Sequence, residues 1–271
     1  MKRSFFASPY IVWMVVFTIM PLLFVVYYAF TDASGSASLA NWASYFTTAN
    51  MTTLWGSVKL AIQCTVICLL LGYPAAMFLA SKDMSKNRAL FVLILLPMWM
   101  NFLLRTYAMR ELLRDGGVLS VLFDLINVEM PQMLYTEGAI LLGMVYNFLP
   151  FMILPIYTCL KKLDQRLIEA AEDLGANSLQ VLTKVTVPLS VPGVVSGITM
   201  VFMPAVTTFA LSKILGGGMT SMVGDQIELQ FITFGNWQMG STISLILLVL
   251  IIASLALLRK VDPDNEGGGM W

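Results

Sequence analysis

Histidine is absent from the chain. That removes Ser–His and Cys–His catalysis, HExxH metal sites and haem ligation by imidazole in one step. Cys64, Cys68 and Cys159 all lie inside apolar runs. Cys64 and Cys68 share a helix face that offers no further thiolate or imidazole, so they read as packing, and an odd count gives no disulfide framework. No glycine is followed by lysine, so there is no GxxxxGK[ST] phosphate loop. Gly216–Gly218 run on into Met219-Thr220 and read as a flexible outer turn. Val223-Gly224-Asp225 falls short of the Gly-x-Gly-Asp pattern of an intramembrane enzyme. The nineteen methionines scatter without a repeating spacing, as adaptable packing does. What remains is a sparse set of polar and aromatic side chains within apolar stretches: Trp99, Asn101, Arg105, Tyr107, Tyr146 and Asn147. Ionisable groups in lipid are costly and generally face an interior cavity, and aromatic faces attract ammonium groups. Arg105 can equally snorkel to the interface, and Trp99 and Tyr107 can equally belong to an interfacial belt. Asp225 and Glu228 stand in an outer loop, where they either guide cations or are simply solvated. The chemistry on offer is binding and passage, not catalysis.

The elements that must position these residues follow from composition. Of 271 residues, 58% are hydrophobic and only 12% charged, about half the charge of an ordinary soluble domain. Too little polar surface is left to cover a water-soluble globule, so lipid is the solvent for much of the chain. Net formal charge is zero, which gives no basic field for nucleic acid. Apolar stretches at about residues 10–30, 58–79, 89–107, 139–160, 194–211 and 241–258 predict an all-α integral membrane protein with six spans in one domain covering 1–271. The first stretch has Lys2 and Arg3 ahead of it, as a signal peptide would. It is longer than a signal core of about 7–15 residues and ends in Tyr27 and Tyr28, so it reads as a retained helix. Pro150, Pro155 and Pro204 are expected to break helices near the midplane, where transporters often place their sites.

Lysine and arginine set the orientation. With the N-terminus inside, the cytoplasmic segments hold Lys2, Arg3, Lys82, Lys86, Arg88, Lys161, Lys162, Arg166, Lys184, Arg259 and Lys260, and the outer ones hold Lys59, Arg105, Arg110, Arg114 and Lys213. The imbalance puts both termini in the cytoplasm. The outer side carries Asp32, Glu111, Asp115, Asp124, Glu129, Glu137, Asp225 and Glu228, an acidic excess that favours a cationic solute or is merely what positive-inside topology leaves behind.

Residues 161–190 then form a cytoplasmic loop. Asp164 is placed to cap a short helix and Gly175 to end it with a left-handed φ. Leu167, Ile168, Ala171 and Leu174 make one apolar stripe, while Arg166, Glu169, Glu172 and Asp173 make the opposite face. Ser178 can cap a second short helix. A helix lying on lipid concentrates Lys and Arg on its polar face. Here acids cluster instead, so the loop reads as a protein docking surface.

Glu169-Ala170-Ala171, then Gly175, then Val187-Pro188, resembles the EAA motif of ABC importer permeases. Leu96-Pro97-Met98-Trp99, Leu104-Arg105-Thr106-Tyr107-Ala108, Gly143 to Phe151, Leu215 to Gly218, Val223 to Ile227, Gln230-Phe231 and Asn236-Trp237 resemble the spermidine/putrescine (PotB-like) branch of that family, over about Pro9 to Leu258. Lys213 and Gln238-Met239 depart from that branch and bear on the solute, not on the transporter class. The resemblance implies a type I (MetI-like) importer fold whose coupling helices, built on Glu169, Ala170, Ala171, Gly175 and Pro188, contact a cytoplasmic ABC ATPase dimer that binds ATP-Mg. The permease itself then needs no cofactor and is not an enzyme. It also implies a second permease subunit of the PotC-like kind, an extracytoplasmic polyamine-binding protein and the bacterial inner membrane. Other solutes for such a permease (an oxyanion, an iron complex, thiamine) and an ATPase-independent secondary transporter are the competing readings. An oxyanion suits a basic outer funnel, and a secondary transporter leaves the acidic loop without a task.

Overall fold

The computed structural model describes residues 3–81, 88–126, 128 and 131–260. Lys2, Lys82, Lys86 and Glu129 of the orientation argument lie outside them. Helix accounts for nearly all of the architecture, because inside lipid each backbone polar group must find its partner within the segment. In chain order the helices are α1 (3–29), α2 (Ala40–Tyr45), α3 (Thr48–Ala80), α4 (Arg88–Trp99), α5 (Phe102–Leu113), α6 (Val118–Leu125), α7 (Glu137–Lys162), α8 (Gln165–Asp173), α9 (Ser178–Thr207), α10 (Ala210–Gly216), α11 (Val223–Glu228) and α12 (Trp237–Arg259). Among the described residues there is no strand, only an isolated bridge between Thr31 and Ala37.

Five helices are long and apolar enough to cross a membrane, and a bent pair, Val92–Trp99 with Phe102–Leu125, counted as one span makes six. The spans are longer than the apolar runs that announce them. α3 begins at Thr48, where the Thr47 side chain caps it, and α9 starts at Ser178, well inside the stretch expected to be loop. Polar residues extend a helix as readily as apolar ones once a cap satisfies its first N–H groups.

The core sits around α7. In its most apolar window 61% of residues are buried, against 0% for Pro9–Ala29, so α7 is the central helix and α1 a peripheral one. α7 packs along α3 and α9, which also touch each other, while the second half of α1 lies on α12. Small residues permit the close approach that membrane helices rely on. A Cβ on Gly193 would stand 2.7 Å from Cys159 Cβ, and one on Gly197 2.7 Å from Met152 Sδ. Cys64 and Cys68 are buried in α3 with their sulfurs 3.9 Å apart, a thiol pair within the packed core.

Two contacts fix which ends of the helices lie together. Lys59 and Glu137 pair at 3.6 Å, and the hydroxyls of Tyr73 and Ser190 are 2.9 Å apart. The start of α7 therefore sits beside the first third of α3. The loop leading into α8 leaves from the opposite end of the bundle, about 39 Å away for a 26-residue helix.

The prolines act differently from expectation. α7 runs unbroken through Pro150 and Pro155, and α9 through Pro192 and Pro204. Widened π turns at Val15–Ile19 and Leu182–Thr186 each end two residues before a proline, Pro21 and Pro188. A turn of that kind makes room for the ring against the preceding carbonyls. The real break comes in the third span, which is not the continuous helix expected over 89–107. α4 ends at Trp99 and the chain turns by 101°. Pro97 stands just before the break, and the Asn101 side chain takes the N–H groups of Leu103 at 2.9 Å and Leu104 at 3.3 Å to start α5. A proline near the end of one helix followed by a strong N-cap is a stop and a start in succession.

Candidate functional site

The first candidate site is the knob joining α7 to α9. Asp164 caps α8 by accepting the Arg166 N–H at 3.0 Å. At the other end the Gly175 N–H donates to the Glu172 carbonyl at 2.8 Å and the Ala176 N–H to the Ala171 carbonyl at 3.0 Å. This pair of bonds is the Schellman ending, and Gly175 supplies the left-handed residue it requires, with φ +84°. The motif's spacing has a physical basis here. The last alanine provides the carbonyl that closes the helix, and the glycine four residues on provides the turn. The following helix is capped by Asn177 and not by the expected Ser178. Asn177 Oδ1 and the Gln180 N–H pair at 2.9 Å, and the Gln180 side chain returns the bond to the Asn177 N–H. Asparagine at that position also caps well, and the Gln180 spacing completes a capping box.

α8 contains no buried residue. Leu174 is 89% exposed, and Leu167 and Leu179 are exposed beside it. Glu169 and Ala170 are exposed and Ala171 half-buried, so the acidic face and much of the apolar stripe are open to a partner, while α8 packs back on the first turns of α9. Pro188 is exposed just after the π turn that carries α9 into the bundle.

The second candidate site lies at the opposite end of the bundle. A cavity of about 390 Å³ is lined by Tyr107, Arg110, Tyr135, Lys213, Ile214 and Gly217. Lys213 pairs with Glu228 and stands 6.0 Å from the centroid of the Phe209 ring. Asp225, one turn before Glu228, is only 5% exposed, and its Oδ2 accepts the Met222 N–H at 2.7 Å. Burial pushes the Asp225 carboxyl above the ordinary carboxylate range, against the pull of the Met222 N–H, the Ser212 hydroxyl and the Lys213 charge. α11 is held in place by α3: the Val223 N–H donates to Ser57 Oγ at 2.9 Å, and Gln226 Nε2 to Asn50 Oδ1 at 3.2 Å.

The sequence-derived residues divide between locations. Tyr107 lines the cavity, and Glu228 and Asp225 adjoin it through Lys213. Trp99, Asn101, Tyr146 and Asn147 do not line it. Trp99 is 85% exposed at the break, and Asn101 is its cap. Asn147 is buried in α7, donating to the Gly143 carbonyl at 2.8 Å with its Oδ1 unpartnered. Arg105 does not snorkel: it is 6% exposed, and its Nε and Nη1 lack partners. Arg110, Tyr135, Phe209 and the pairing of Lys213 were not singled out from the sequence. Arg110, Tyr135 and the Phe209–Lys213 pair come from segments far apart in the chain, and no spacing rule joins the three. Nor are the glycines at 216–218 the loose turn expected. The Tyr135 N–H donates to the Leu215 carbonyl at 2.8 Å. Gly217 has φ +59°, and a Cβ there would stand 2.3 Å from the Tyr135 ring. A close approach of backbone to aromatic ring accounts for that glycine.

Comparison with known proteins assigns the scaffold. Residues 69–266 match the model of the binding-protein-dependent transport system inner membrane component family. The chain is 39% identical over 269 residues to the spermidine/putrescine transport system permease protein PotB of Haemophilus influenzae, covering 93% of this chain and 94% of the relative. It is 33% identical over 268 residues to PotB of Escherichia coli (strain K12), covering 93% and 98%. In fold it is similar to a chain of a bacterial ABC transporter involved in the import of the acidic polysaccharide alginate, with TM-score 0.73, 14% identity and coverage of 94% and 93%. A chain of the MetNI methionine ABC transporter gives TM-score 0.55 at 18% identity, covering 78% and 91%. The chain therefore belongs to the binding-protein-dependent transport system inner membrane components, as a multi-span permease with the MetI-like importer fold.

Proposed function

We propose that this chain is the permease subunit of an ATP-driven importer that carries polyamines of the spermidine and putrescine class. The observation that carries the reading is the protruding α8–α9 knob, capped at both ends and apolar on its open face, mounted at the foot of the most buried helix. A displacement applied to that knob reaches the far end of the bundle through one continuous helix, which is what a coupling lever requires. A cytoplasmic ABC ATPase dimer binds ATP-Mg and closes against Glu169 to Gly175, and both termini share that side. A second permease subunit of the PotC-like kind completes the pore, and an extracytoplasmic binding protein delivers the solute. The substrate class rests on the 39% and 33% identity to spermidine/putrescine permeases together with Glu228, Asp225 and the Phe209 ring at the outer end, groups that suit an ammonium.

One observation favours a second reading, an anionic solute: Arg110 and Lys213 both line the cavity. The decisive experiment is ATP hydrolysis in proteoliposomes holding the complete complex, with spermidine, putrescine or an oxyanion presented on the folded binding protein. Stimulation by polyamines supports the first reading. Stimulation by an anion alone, or hydrolysis that no polyamine changes, removes it.

A further inference from the structure

The geometry points to Lys213 as a tethered cation that holds the place of a substrate ammonium group, so that a solute cation must displace it to gain Glu228. This inference rests on the polyamine reading above and names a residue that tunes affinity within it.

Phe209 and Lys213 are four residues apart at the start of α10, where the Lys213 N–H donates to the Phe209 carbonyl at 3.2 Å, so one helical turn puts ring and ammonium on the same face. Asp225 and Glu228 are three apart on α11 and share its face in the same way. These two short helices bring together an aromatic ring, a paired carboxylate and a buried carboxylate. Carboxylates and an aromatic face are the groups that recognise an alkylammonium, and the Lys213 side chain is itself an alkylammonium. It fits because it is chemically what the site takes. It is also replaceable: its side chain is 42% exposed on the cavity, next to the half-exposed Tyr107 ring. An exposed pair of this kind is weak, so a polycation can compete for the carboxylate. The exchange is charge-neutral at the site, one ammonium leaving Glu228 as another arrives.

A merely structural ion pair that pins α10 to α11 gives a different signature. Removing either partner of such a pair has the same sign, whereas removing a competitor and removing an acceptor have opposite signs. The test measures radiolabelled spermidine binding to the assembled complex in nanodiscs, without the binding protein, by equilibrium dialysis. The expected results are tighter binding than wild type for Lys213→Met, by about fivefold, and weaker binding for Glu228→Gln. Lys213→Arg, which keeps the tether, should stay near wild type and guards against a Met variant that assembles poorly. If Lys213→Met and Glu228→Gln shift binding in the same direction, or Lys213→Met leaves it unchanged, Lys213 is a structural pin and the inference falls alone. If no form of the complex binds spermidine while its ATPase remains active, the polyamine reading falls and takes the inference with it.

Discussion

At the scale of single residues, two positions carry the largest expected effects. Arg105 is buried with two guanidinium nitrogens unpartnered. Replacing buried ionic groups by well-packed apolar side chains of similar volume is often neutral or stabilising, by up to about 4 kcal/mol. Arg105→Met is therefore expected to keep or raise the thermal midpoint in detergent while lowering solute uptake at least several-fold, as a group retained for passage rather than for folding should. A variant that melts earlier would show that unseen partners satisfy Arg105. Gly217→Ala forces a side chain into left-handed backbone and against the Tyr135 ring. It is expected to destabilise by about 1–3 kcal/mol, measured by the same melting curves, whereas Gly218→Ala meets no neighbour within 4 Å and adds only the strain of its φ of +78°.

Several of these residues could not be read from the sequence. The sequence leaves Arg105 open between a cavity-facing and a snorkelling side chain, because distance along a span says nothing about which face a neighbouring helix covers. Lys213 and Glu228 are fifteen residues apart, and only the turn between α10 and α11 brings them together. The caps at Asp164 and Gly175, by contrast, follow from local rules that no tertiary contact overrides.

At the scale of elements, the knob and the broken third span make separate predictions. Leu174 on the knob's apolar stripe is 89% exposed, so Leu174→Asp should leave the melting temperature within experimental error of wild type yet abolish co-purification of the ATPase subunit. Loss of thermal stability with the ATPase retained would place Leu174 in the fold instead. Asn101 starts α5 with two capping bonds, and Asn101→Ala should cost about 1 kcal/mol and speed amide exchange of Leu103 and Leu104. The apolar runs revealed six spans but not the break, because Pro97 alone predicts a kink and the 101° turn also needs the cap that follows it. The interior prolines of α7 pointed to breaks that are absent. Their lost hydrogen bonds are tolerated where the helix is held on two sides by α3 and α9.

At the scale of the whole molecule, two sites stand at opposite ends of one buried helix. The end near Glu137 faces the cavity and its charges, and the end near Lys162 carries the knob. Small residues and close packing among α3, α7 and α9 make that connection stiff, as the proposed coupling between knob and solute requires. In the proposed function, ATP hydrolysis by an ATPase docked on the knob drives polyamine movement through the far end. The most direct measurement is ATP-dependent uptake of radiolabelled spermidine into proteoliposomes holding the complete complex and its binding protein, for wild type and Glu169→Lys side by side. The account predicts uptake that requires ATP and falls at least tenfold in Glu169→Lys, with the complex still thermally intact. ATP-dependent uptake that Glu169→Lys leaves unchanged, or spermidine accumulation that proceeds without ATP, would contradict it.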